Sequence, residues 1–388
     1  MRGFAMASHL ARGTWSGLVA LATGVVTACA PSSVQSPPAS ANGAGAEARA
    51  VLSAPGSSSG VAEPVAPGGA TSVESARPAN EGAVAETAPE PPAPAVAGGT
   101  FPPVRVALPT NAAPAEGDGE WLPFGNAALG ERAATAPFIV RTVLHPLRGS
   151  RFLTVTIAAV DLSRVNVRLV PGTEDMLWAK RPPGEPSGVV PAPEQERLLA
   201  VMNGGFQPKH GRWGLVAGPV VITPPRDEGC TLALLRDGTV RLAPWPKLAA
   251  AQDRIESLRQ TPPCLLEDGA VHPALLRNDD KRWAGHAADL QTRRRSAVGL
   301  DASGRVLFYA IGEEAAPRWL AEALRLAGAR SAAELDINWY WTRFLVFGKP
   351  SGDPLQVTST LIPKMEHLKR GYVERPSTRD FFYFVERQ

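Results

Sequence analysis

A tight glycine turn is the first segment of the sequence that could hold a ligand. The apolar, strand-like run 198–202 ends in Asn203, Gly204 and Gly205, which are followed by Phe206. Because glycine has no side chain, a glycine pair lets a ligand approach the backbone closely. Asn203 could bond a sugar hydroxyl, although Asn beside Gly more often holds its own turn. The segment therefore predicts substrate contacts at Asn203, Gly204 and Gly205, with turn formation as the alternative.

A polar alternation later in the chain supplies candidate acids. Glu334, Asp336 and Asn338 are spaced two residues apart, so in an extended strand they share one face. Two carboxylates and an amide could protonate a leaving oxygen or orient a water molecule. The same alternation fits an amphipathic strand whose polar face meets solvent, and the pattern alone favours that second interpretation.

Three more residues could contact a sugar phosphate. The Arg295 guanidinium offers a planar fork to two anionic oxygens, and its alternative role is an ion pair with a strand carboxylate. His210 lies in a loop just after the glycine turn, where it could cover a pocket, although a lone loop histidine is more often structural. Trp339, like its neighbour Trp341, could stack on a sugar ring, but core packing is the default role of a tryptophan.

In their order and spacing these segments resemble the phosphodiester glycosidase domain family. The Asn-Gly-Gly-Phe turn of that family is intact at 203–206, its Arg-Thr-Ala-Ile-Gly strand reads Arg-Ser-Ala-Val-Gly at 295–299, and its Leu-Asp-Gly-Gly-Gly-Ser segment keeps only Leu335 and Asp336. The likeness extends from about Val201 to Phe347. Because 337–341 replaces glycines against which a sugar phosphate would lie, the chain resembles a divergent member. The resemblance predicts the family fold more strongly than the family reaction.

The resemblance implies a carbohydrate or sugar-phosphate ligand and a hydrolase of glycosyl phosphodiesters or related envelope glycans. It implies that Asp336 is the general acid/base, with Glu334 beside it, and that Arg295 holds phosphate. The residues expected to bind the sugar are Asn203, Gly204, Gly205, Asn338, Trp339 and His210. The alternative is a catalytically inactive glycan- or protein-binding module on the same fold. We expect Asp336 and Arg295 to share a cleft with Gly204, and Leu335 and Ile337 to pack against a helix.

Apolar runs interrupted by turn residues predict mostly strands. A hairpin or meander is expected at 152–170, and strands 230–235 and 265–266 are each followed by an Asp-Gly turn, at 237–238 and 268–269, that is typical of a hairpin; a further hairpin is expected to join 297–300 to 306–311. A helix is expected at 316–327, with Pro317 in its first turn and Gly328 just past its end, and a weaker helix at 249–258. Together these elements predict an α+β fold, phosphodiester-glycosidase-like, with mixed, largely antiparallel sheets and few helices.

The composition divides the chain into three parts. Arg2 and Arg12, an apolar run at 18–26 and the box that ends at Cys29 predict a lipoprotein-type signal peptide over 1–29, with plain secretion as the alternative. Residues 30–118 are rich in Ala, Pro, Gly and Ser and predict a disordered tether. Residues 119–388 form the expected single globular domain. We expect a lipid anchor on Cys29 to hold the protein in the bacterial cell envelope, on its periplasmic or surface face.

Cysteine count and charge limit the remaining function classes. Cys230 and Cys264 form an even pair in an exported protein, so a disulfide and two buried thiols are both compatible with the sequence. The formal net charge is only +3, so the sequence lacks the strongly basic composition that is typical of nucleic-acid-binding proteins. No zinc spacing, phosphate-binding loop or dinucleotide fingerprint occurs. The sequence therefore predicts no metal, no cofactor and no nucleic-acid partner.

Overall fold

Most of the described chain is extended, as its short apolar runs require. The computed structural model describes residues 101–108, 115–124, 137–147, 150, 152–179, 188–284, 293–350 and 352–388. They lie within one unit, Thr87–Gln388. The predicted signal peptide 1–29, with Cys29, and residues 30–100 of the predicted tether lie outside the described residues. In the part of the chain that is described, no helix is long and apolar enough to cross a membrane.

The strands are numbered in chain order. They are β1 (Leu122–Pro123), β2 (Ile139–Leu144), β3 (Thr154–Asp161), β4 (Val165–Val170), β5 (Leu198–Asn203), β6 (Leu215–Ala217), β7 (Val220–Thr223), β8 (Cys230–Leu235), β9 (Val240–Pro244), β10 (Ile255–Thr261), β11 (Leu266–Glu267), β12 (Ala270–Val271), β13 (Arg293–Asp301), β14 (Val306–Ala315), β15 (Ala329–Glu334), β16 (Phe344–Gly348), β17 (Gln356–Thr360) and β18 (Phe381–Glu386).

The helices are short. They are α1 (Ala192–Gln195), α2 (Trp245–Leu248), α3 (Pro273–Leu276), α4 (Lys281–Ala284) and α5 (Pro317–Leu326), and two 3₁₀ segments cover Asp175–Trp178 and Ala249–Arg254. Helix α5 confirms the helix predicted at 316–327. The helix predicted at 249–258 is wrong beyond Arg254, because Ile255–Thr261 pairs as β10 between β8 and β6 and sheet pairing overrides the local preference.

The described strands form three sheets. An eight-stranded sheet has the order β1-β2-β3-β14-β13-β15-β11-β12, and the two five-stranded sheets run β7-β6-β10-β8-β9 and β17-β16-β5-β18-β4. The paired strands are antiparallel throughout these sheets. The predicted α+β class with largely antiparallel sheets is therefore confirmed.

Both faces of the eight-stranded sheet are covered. On β13 and β14, Val298 and Tyr309 point into a cluster that includes Val201 and Phe382 of the β5–β18 sheet. Their neighbours on the opposite face join a second cluster under α5, where Leu320 is fully buried. A strand buried on both faces cannot alternate between apolar and polar residues, which explains the near-continuous apolar runs. The cavity described below lies where strands of these two sheets end.

The turn chemistry predicted three hairpins correctly. The pairs β8–β9, β11–β12 and β13–β14 form as expected. The hairpin or meander predicted at 152–170 does not form between its two strands, because β3 pairs with β2 and β14 whereas β4 pairs with β18 in another sheet. Both apolar runs are strands, but the turn between them carries the chain from one layer to the next.

Ordered structure begins before the predicted domain boundary at Gly119. Val106 is buried in the cluster under α5, and its backbone N–H donates to the Gly119 carbonyl at 3.0 Å. Asp118 is buried against His145, with 2.7 Å between Asp118 Oδ2 and His145 Nδ1. Residues 101–108 and 115–118, which the composition assigned to the tether, therefore pack on the domain.

The cysteine pair forms a disulfide that joins two sheets. Cys230 begins β8, and Cys264 lies just before β11 at the edge of the eight-stranded sheet. Their Cα atoms are 4.7 Å apart, within bridging distance. The structure thus decides between the two alternatives that the sequence left open.

Candidate active site

A cavity of about 430 Å³ opens beside the ends of β5 and β15. It is lined by Phe206, Gln207, Lys209, His210, Gly211, Trp213, Pro262, Lys281, Arg282, Trp283, Arg293, Asp336, Ile337, Asn338 and Arg379. We refer to it as the charged cavity, because its lining carries five Lys or Arg side chains and one carboxylate. A surplus of cations around one acid favours an anionic ligand.

Asp336 is the one carboxylate in the lining of the charged cavity. It lies two residues after the end of β15, and its backbone N–H donates to the Gly204 carbonyl at 3.1 Å, so the glycine turn fixes its position. Its Oδ2 accepts from Arg379 Nη2 at 2.8 Å, and its Oδ1 accepts from the Asn338 N–H at 3.0 Å. Burial raises the pKa of Asp336 above its ordinary value, although the Arg379 charge opposes this shift. A raised pKa suits a group that exchanges protons near neutrality.

Arg379 is the main cavity residue that the sequence patterns did not predict. It lies two residues before β18 and is nearly buried, with Nη2 held between Asp336 and the Gly205 carbonyl. Its guanidinium also lies 5.6 Å from the Trp341 ring centroid. The available signal was a charged Arg-Asp pair directly before the apolar run of β18, where buried charges need partners. Arg379, rather than Arg295, is the arginine that reaches the cavity beside Asp336.

Gly204 and Gly205 make room for a buried ion pair and are not among the cavity-lining residues. A Cβ on Gly204 would lie 1.8 Å from Asp380 Oδ2, and one on Gly205 would lie 2.7 Å from Arg259 Cζ. Asp380 Oδ2 accepts from Arg259 Nε at 2.8 Å and from the Gly205 N–H at 3.0 Å. The glycines therefore allow a group to approach the backbone closely, as the sequence predicted, but that group is the Arg259–Asp380 ion pair and not a ligand.

A second buried carboxylate extends this network. The Asp380 N–H donates to Asp175 Oδ2 at 2.6 Å, and the Gly172 N–H donates to the same oxygen at 3.1 Å. Asp175 Oδ1 has no hydrogen-bond partner. Burial, followed by the negative charge of Asp380, raises the pKa of Asp175 to about 7. The floor under the charged cavity thus contains a carboxyl group that titrates near neutral pH.

Asn203 holds the turn and does not reach the cavity. Its Nδ2 donates to the Gly204 carbonyl at 2.9 Å and to Ser296 Oγ at 3.0 Å. Its Oδ1 accepts from the Tyr309 hydroxyl and from the Arg343 N–H. All four hydrogen-bonding positions of this buried amide are used by protein groups. Asn203 therefore joins β5 to β13 and β14 in place of the predicted sugar contact.

Arg295 and Glu334 form a buried ion pair behind the cavity wall. Both side chains have zero solvent exposure, and Arg295 Nη1 donates to Glu334 Oε1 at 2.8 Å. Arg295 also donates to the carbonyls of Ala315 and Trp283, and Trp283 separates the pair from the cavity. Burial raises the pKa of Glu334 to about 7, and the Arg295 charge opposes the shift. The predicted phosphate contact of Arg295 and catalytic contact of Glu334 are corrected, because neither side chain lines the cavity.

The remaining predicted residues divide between the cavity and its surroundings. His210 and Asn338 line the charged cavity, and their contact with substrate stays a prediction. Trp339 lies outside the lining and is exposed. Ile337 lines the cavity, and Leu335 is buried in the cluster between the two sheets, so the predicted packing of both against α5 is wrong. Chain direction changes after β15, and strand parity no longer applies there.

The described ranges hold no group of three or more His, Cys, Asp or Glu side chains that could bind a metal ion. A larger cavity of about 740 Å³ lies on the other side of loop 208–213. Its lining is mainly apolar and includes Trp178 and Val221, with Arg212 and Arg226 as its charged groups. Its lining contains no carboxylate.

Residues 196–336 match the family model described as phosphodiester glycosidase, which confirms the predicted resemblance. Among solved structures, the chain is similar to the zebrafish N-acetylglucosamine-1-phosphodiester alpha-N-acetylglucosaminidase catalytic domain auto-inhibited by pro-peptide. The identity is 14%, the match covers 66% of this chain and 85% of that chain, and the TM-score is 0.40. A hypothetical protein from Synechocystis is 11% identical, with a TM-score of 0.39 and coverage of 64% of this chain and 62% of that chain. A search of curated proteins gives no significant match.

Proposed function

Because residues 196–336 match the phosphodiester glycosidase family, we propose that the chain hydrolyses glycosyl phosphodiesters in the charged cavity. The observation that carries the proposal is the pairing of one buried acid, Asp336, with Arg379 in a lining that contains four further cations. Water would add to the anomeric carbon, and the bond from that carbon to the phosphate oxygen would break. The products would be a free sugar and a phosphate monoester.

A phosphate leaving group needs cations more than it needs a proton. Negative charge accumulates on its oxygens as the bond breaks, and preorganised donors in a partly closed site stabilise that charge. In this proposal Arg379 and the lysine and arginine side chains of the lining bind the phosphate. Asp336, whose pKa is raised by burial, takes a proton from the attacking water. Trp213 and Trp283 in the lining offer aromatic faces to the sugar.

The test is turnover by the purified full-length chain on a panel of sugar-1-phosphate diesters. We expect Asp336→Asn to lower kcat by roughly 100-fold or more, the scale of a lost general base. Arg379→Ala should lower kcat/KM by roughly 100-fold, the scale of a lost charge-stabilising donor. Matched controls are Asp237→Asn and Arg236→Ala on the β8–β9 turn, which should behave as wild type. Equal turnover by Asp336→Asn and wild type would overturn the assigned role of Asp336.

A second candidate function is a binding module without catalysis. One observation favours it: both Asp336 oxygens already accept hydrogen bonds from protein groups, Arg379 Nη2 and the Asn338 N–H. The Arg379 charge and the Asn338 N–H both oppose the rise that burial causes in the pKa of Asp336. Binding of a sugar-1-phosphate diester by calorimetry, without release of sugar by wild type on any member of the panel, would select this candidate.

We further propose that the domain acts from a membrane. The support is the sequence alone: the apolar run before Cys29, the cleavage box that ends at Cys29, and the tether that follows it. These residues lie outside the described part of the chain. A lipid on Cys29 would place the charged cavity in the bacterial cell envelope, on the periplasmic or surface face, where envelope glycans are available as substrates.

A further inference from the structure

An exposed aromatic surface borders the charged cavity. Residues 339–341 follow Asn338, which lines the cavity, and present two rings to solvent, with Trp339 56% and Tyr340 47% exposed. We define the aromatic strip as Trp339, Tyr340 and Trp341. Trp339 stands at the third glycine of the family segment, Tyr340 stands at its serine, and Trp341 follows directly. The chain has therefore placed large rings beside its proposed site.

Each ring of the aromatic strip lies on an arginine. Arg294 Cζ is 3.2 Å from the Trp339 ring centroid, and Arg343 Cζ is 4.4 Å from the Tyr340 ring centroid. Arg343 is also 5.4 Å from Trp341, and Arg379 is 5.6 Å from the same ring. Arg343 Nε further donates to the Tyr340 carbonyl at 2.8 Å. A guanidinium group that packs on a ring face holds the ring in one orientation, whereas an exposed ring without such a contact can rotate.

The charges beneath the strip do not cancel. Arg294 forms an ion pair with Glu313, and Arg379 forms one with Asp336. Arg343 is nearly buried and has no ion-pair carboxylate among the described residues. A buried cation without a counter-ion leaves a positive potential at the surface above it. The strip therefore combines ring faces, which suit the C–H faces of sugars, with a net positive charge, which suits phosphate.

The strip and the charged cavity form one continuous surface. Arg379 contributes to both, since it pairs with Asp336 in the lining and stacks on Trp341 of the strip. We propose that the aromatic strip binds further units of the same anionic glycan whose scissile linkage lies in the charged cavity. On this basis, which rests on the proposed function, the substrate class is an oligomer or polymer of phosphodiester-linked sugars and not a single sugar phosphate.

The test compares two substrates of the same sugar: an oligomer of several phosphodiester-linked units and the disaccharide with a single linkage. We expect wild type to have the higher kcat/KM on the oligomer. In the double variant Trp339→Ala/Tyr340→Ala, the ratio of the two kcat/KM values should fall roughly tenfold, from the loss of two stacking contacts. The matched control is Trp178→Ala, an exposed tryptophan on the other cavity, which should leave the ratio unchanged.

The outcomes separate this inference from the proposed function. If wild type releases sugar from both substrates with equal kcat/KM, the strip does not bind glycan and the inference is overturned. If wild type releases sugar from neither, the proposed function fails, and calorimetry of the uncleaved oligomer still tests the strip. Tighter binding of the oligomer than of the disaccharide, lost in the double variant, supports the inference. Equal affinity of wild type and double variant for the oligomer contradicts it and leaves a protein partner as the occupant.

Discussion

At the scale of single residues, the floor of the charged cavity is a chain of buried charges. Arg379 contacts Asp336 at 2.8 Å, and the next residue, Asp380, contacts Arg259 at the same distance. Asp175 continues the chain through the Asp380 N–H. Buried charges of this kind are costly when a partner is lost, because the remaining ion has no water to solvate it. We therefore expect substitutions of these buried charged residues to lower both the stability of the protein and its turnover.

Asp175 makes stability depend on pH in a direction opposite to that of an ordinary ion-paired aspartate. Its pKa is about 7 in the folded protein, against an ordinary value of 3.8. Between these values the folded state binds more protons than the unfolded chain, so the free energy of unfolding falls as pH rises through this window. Asp175→Asn, which carries no charge, should therefore gain stability relative to wild type between about pH 5 and about pH 8.

Urea unfolding of both proteins at the two pH values measures this difference. Asp279→Asn, on an exposed residue, serves as the matched control and should show no such trend. A difference between Asp175→Asn and wild type that is the same at both pH values would mean that Asp175 is ionised in the folded protein.

The Arg295–Glu334 pair is expected to stabilise the structure without taking part in chemistry. Arg295→Met leaves Glu334 buried without its cation and should cost about 3–5 kcal/mol of unfolding free energy. The double variant Arg295→Met/Glu334→Leu removes both charges and should recover most of that loss while it retains turnover. Thermal unfolding and the sugar-release assay check this prediction. A double variant that folds like wild type but releases no sugar would show that the Arg295–Glu334 pair is required for turnover.

At the scale of elements, the site is a junction between strand ends of two sheets. The Asn203 end of β5 and the Glu334 end of β15 meet through the bond from the Asp336 N–H to the Gly204 carbonyl. Asn203 and Ser296 add a side-chain bond between β5 and β13 at 3.0 Å. Regular strand geometry stops at these ends, so side chains such as Asp336 are free to turn toward a cavity. The location of the acid therefore depends on how the two sheets pack.

The disulfide should contribute measurably to stability, because it closes a long loop between two sheets. Cys230 and Cys264 are 34 residues apart. The double variant Cys230→Ala/Cys264→Ala should lose about 2–4 kcal/mol of unfolding free energy. Urea unfolding with and without a reducing agent is the measurement. Reductant should destabilise wild type by a similar amount and leave the double variant unchanged. An equal effect of reductant on both proteins would contradict a stabilising disulfide.

At the scale of the whole molecule, the proposed active site and the proposed membrane anchor lie in different parts of the chain. The described part is a layered domain in which the charged cavity lies between sheets. The segment that is proposed to carry the membrane anchor precedes it in sequence. Residues 101–108 pack on the domain, so any reach that a tether provides comes from residues before them.

Cys29→Ser tests the anchor. Removal of the acceptor thiol leaves no site for the lipid, and no helix in the described residues can span a membrane. We expect the variant to leave the membrane fraction, whereas wild type should remain in it and incorporate an acyl label. Cys230→Ala/Cys264→Ala provides the control for an unrelated loss of thiols. Membrane fractionation that does not change in Cys29→Ser, with no acyl label on wild type, would show plain secretion.

The sequence by itself determined the elements whose signals are local. The Asp-Gly turns predicted β8–β9 and β11–β12, and Pro317 with Gly328 marked the two ends of α5. The resemblance of three segments to the family pattern also singled out Asp336, because Leu335 and Asp336 match that pattern in the sequence itself. Side-chain parity within β15 could be predicted as far as Glu334 and no further, since the chain leaves the strand there.

The packing of the sheets sets which charges meet. Arg295 pairs with Glu334, 39 residues away in sequence, and Arg379 pairs with Asp336, 43 residues away. The Gly205 N–H and Asp380 are separated by 175 residues, yet their contact explains why the turn requires glycine. Local propensity carries no information about such distant partners, because a buried charge is matched by whatever the packing of sheets brings within about 3 Å. The proposed acid, Asp336, could therefore be selected from the sequence, whereas its partner Arg379 could not.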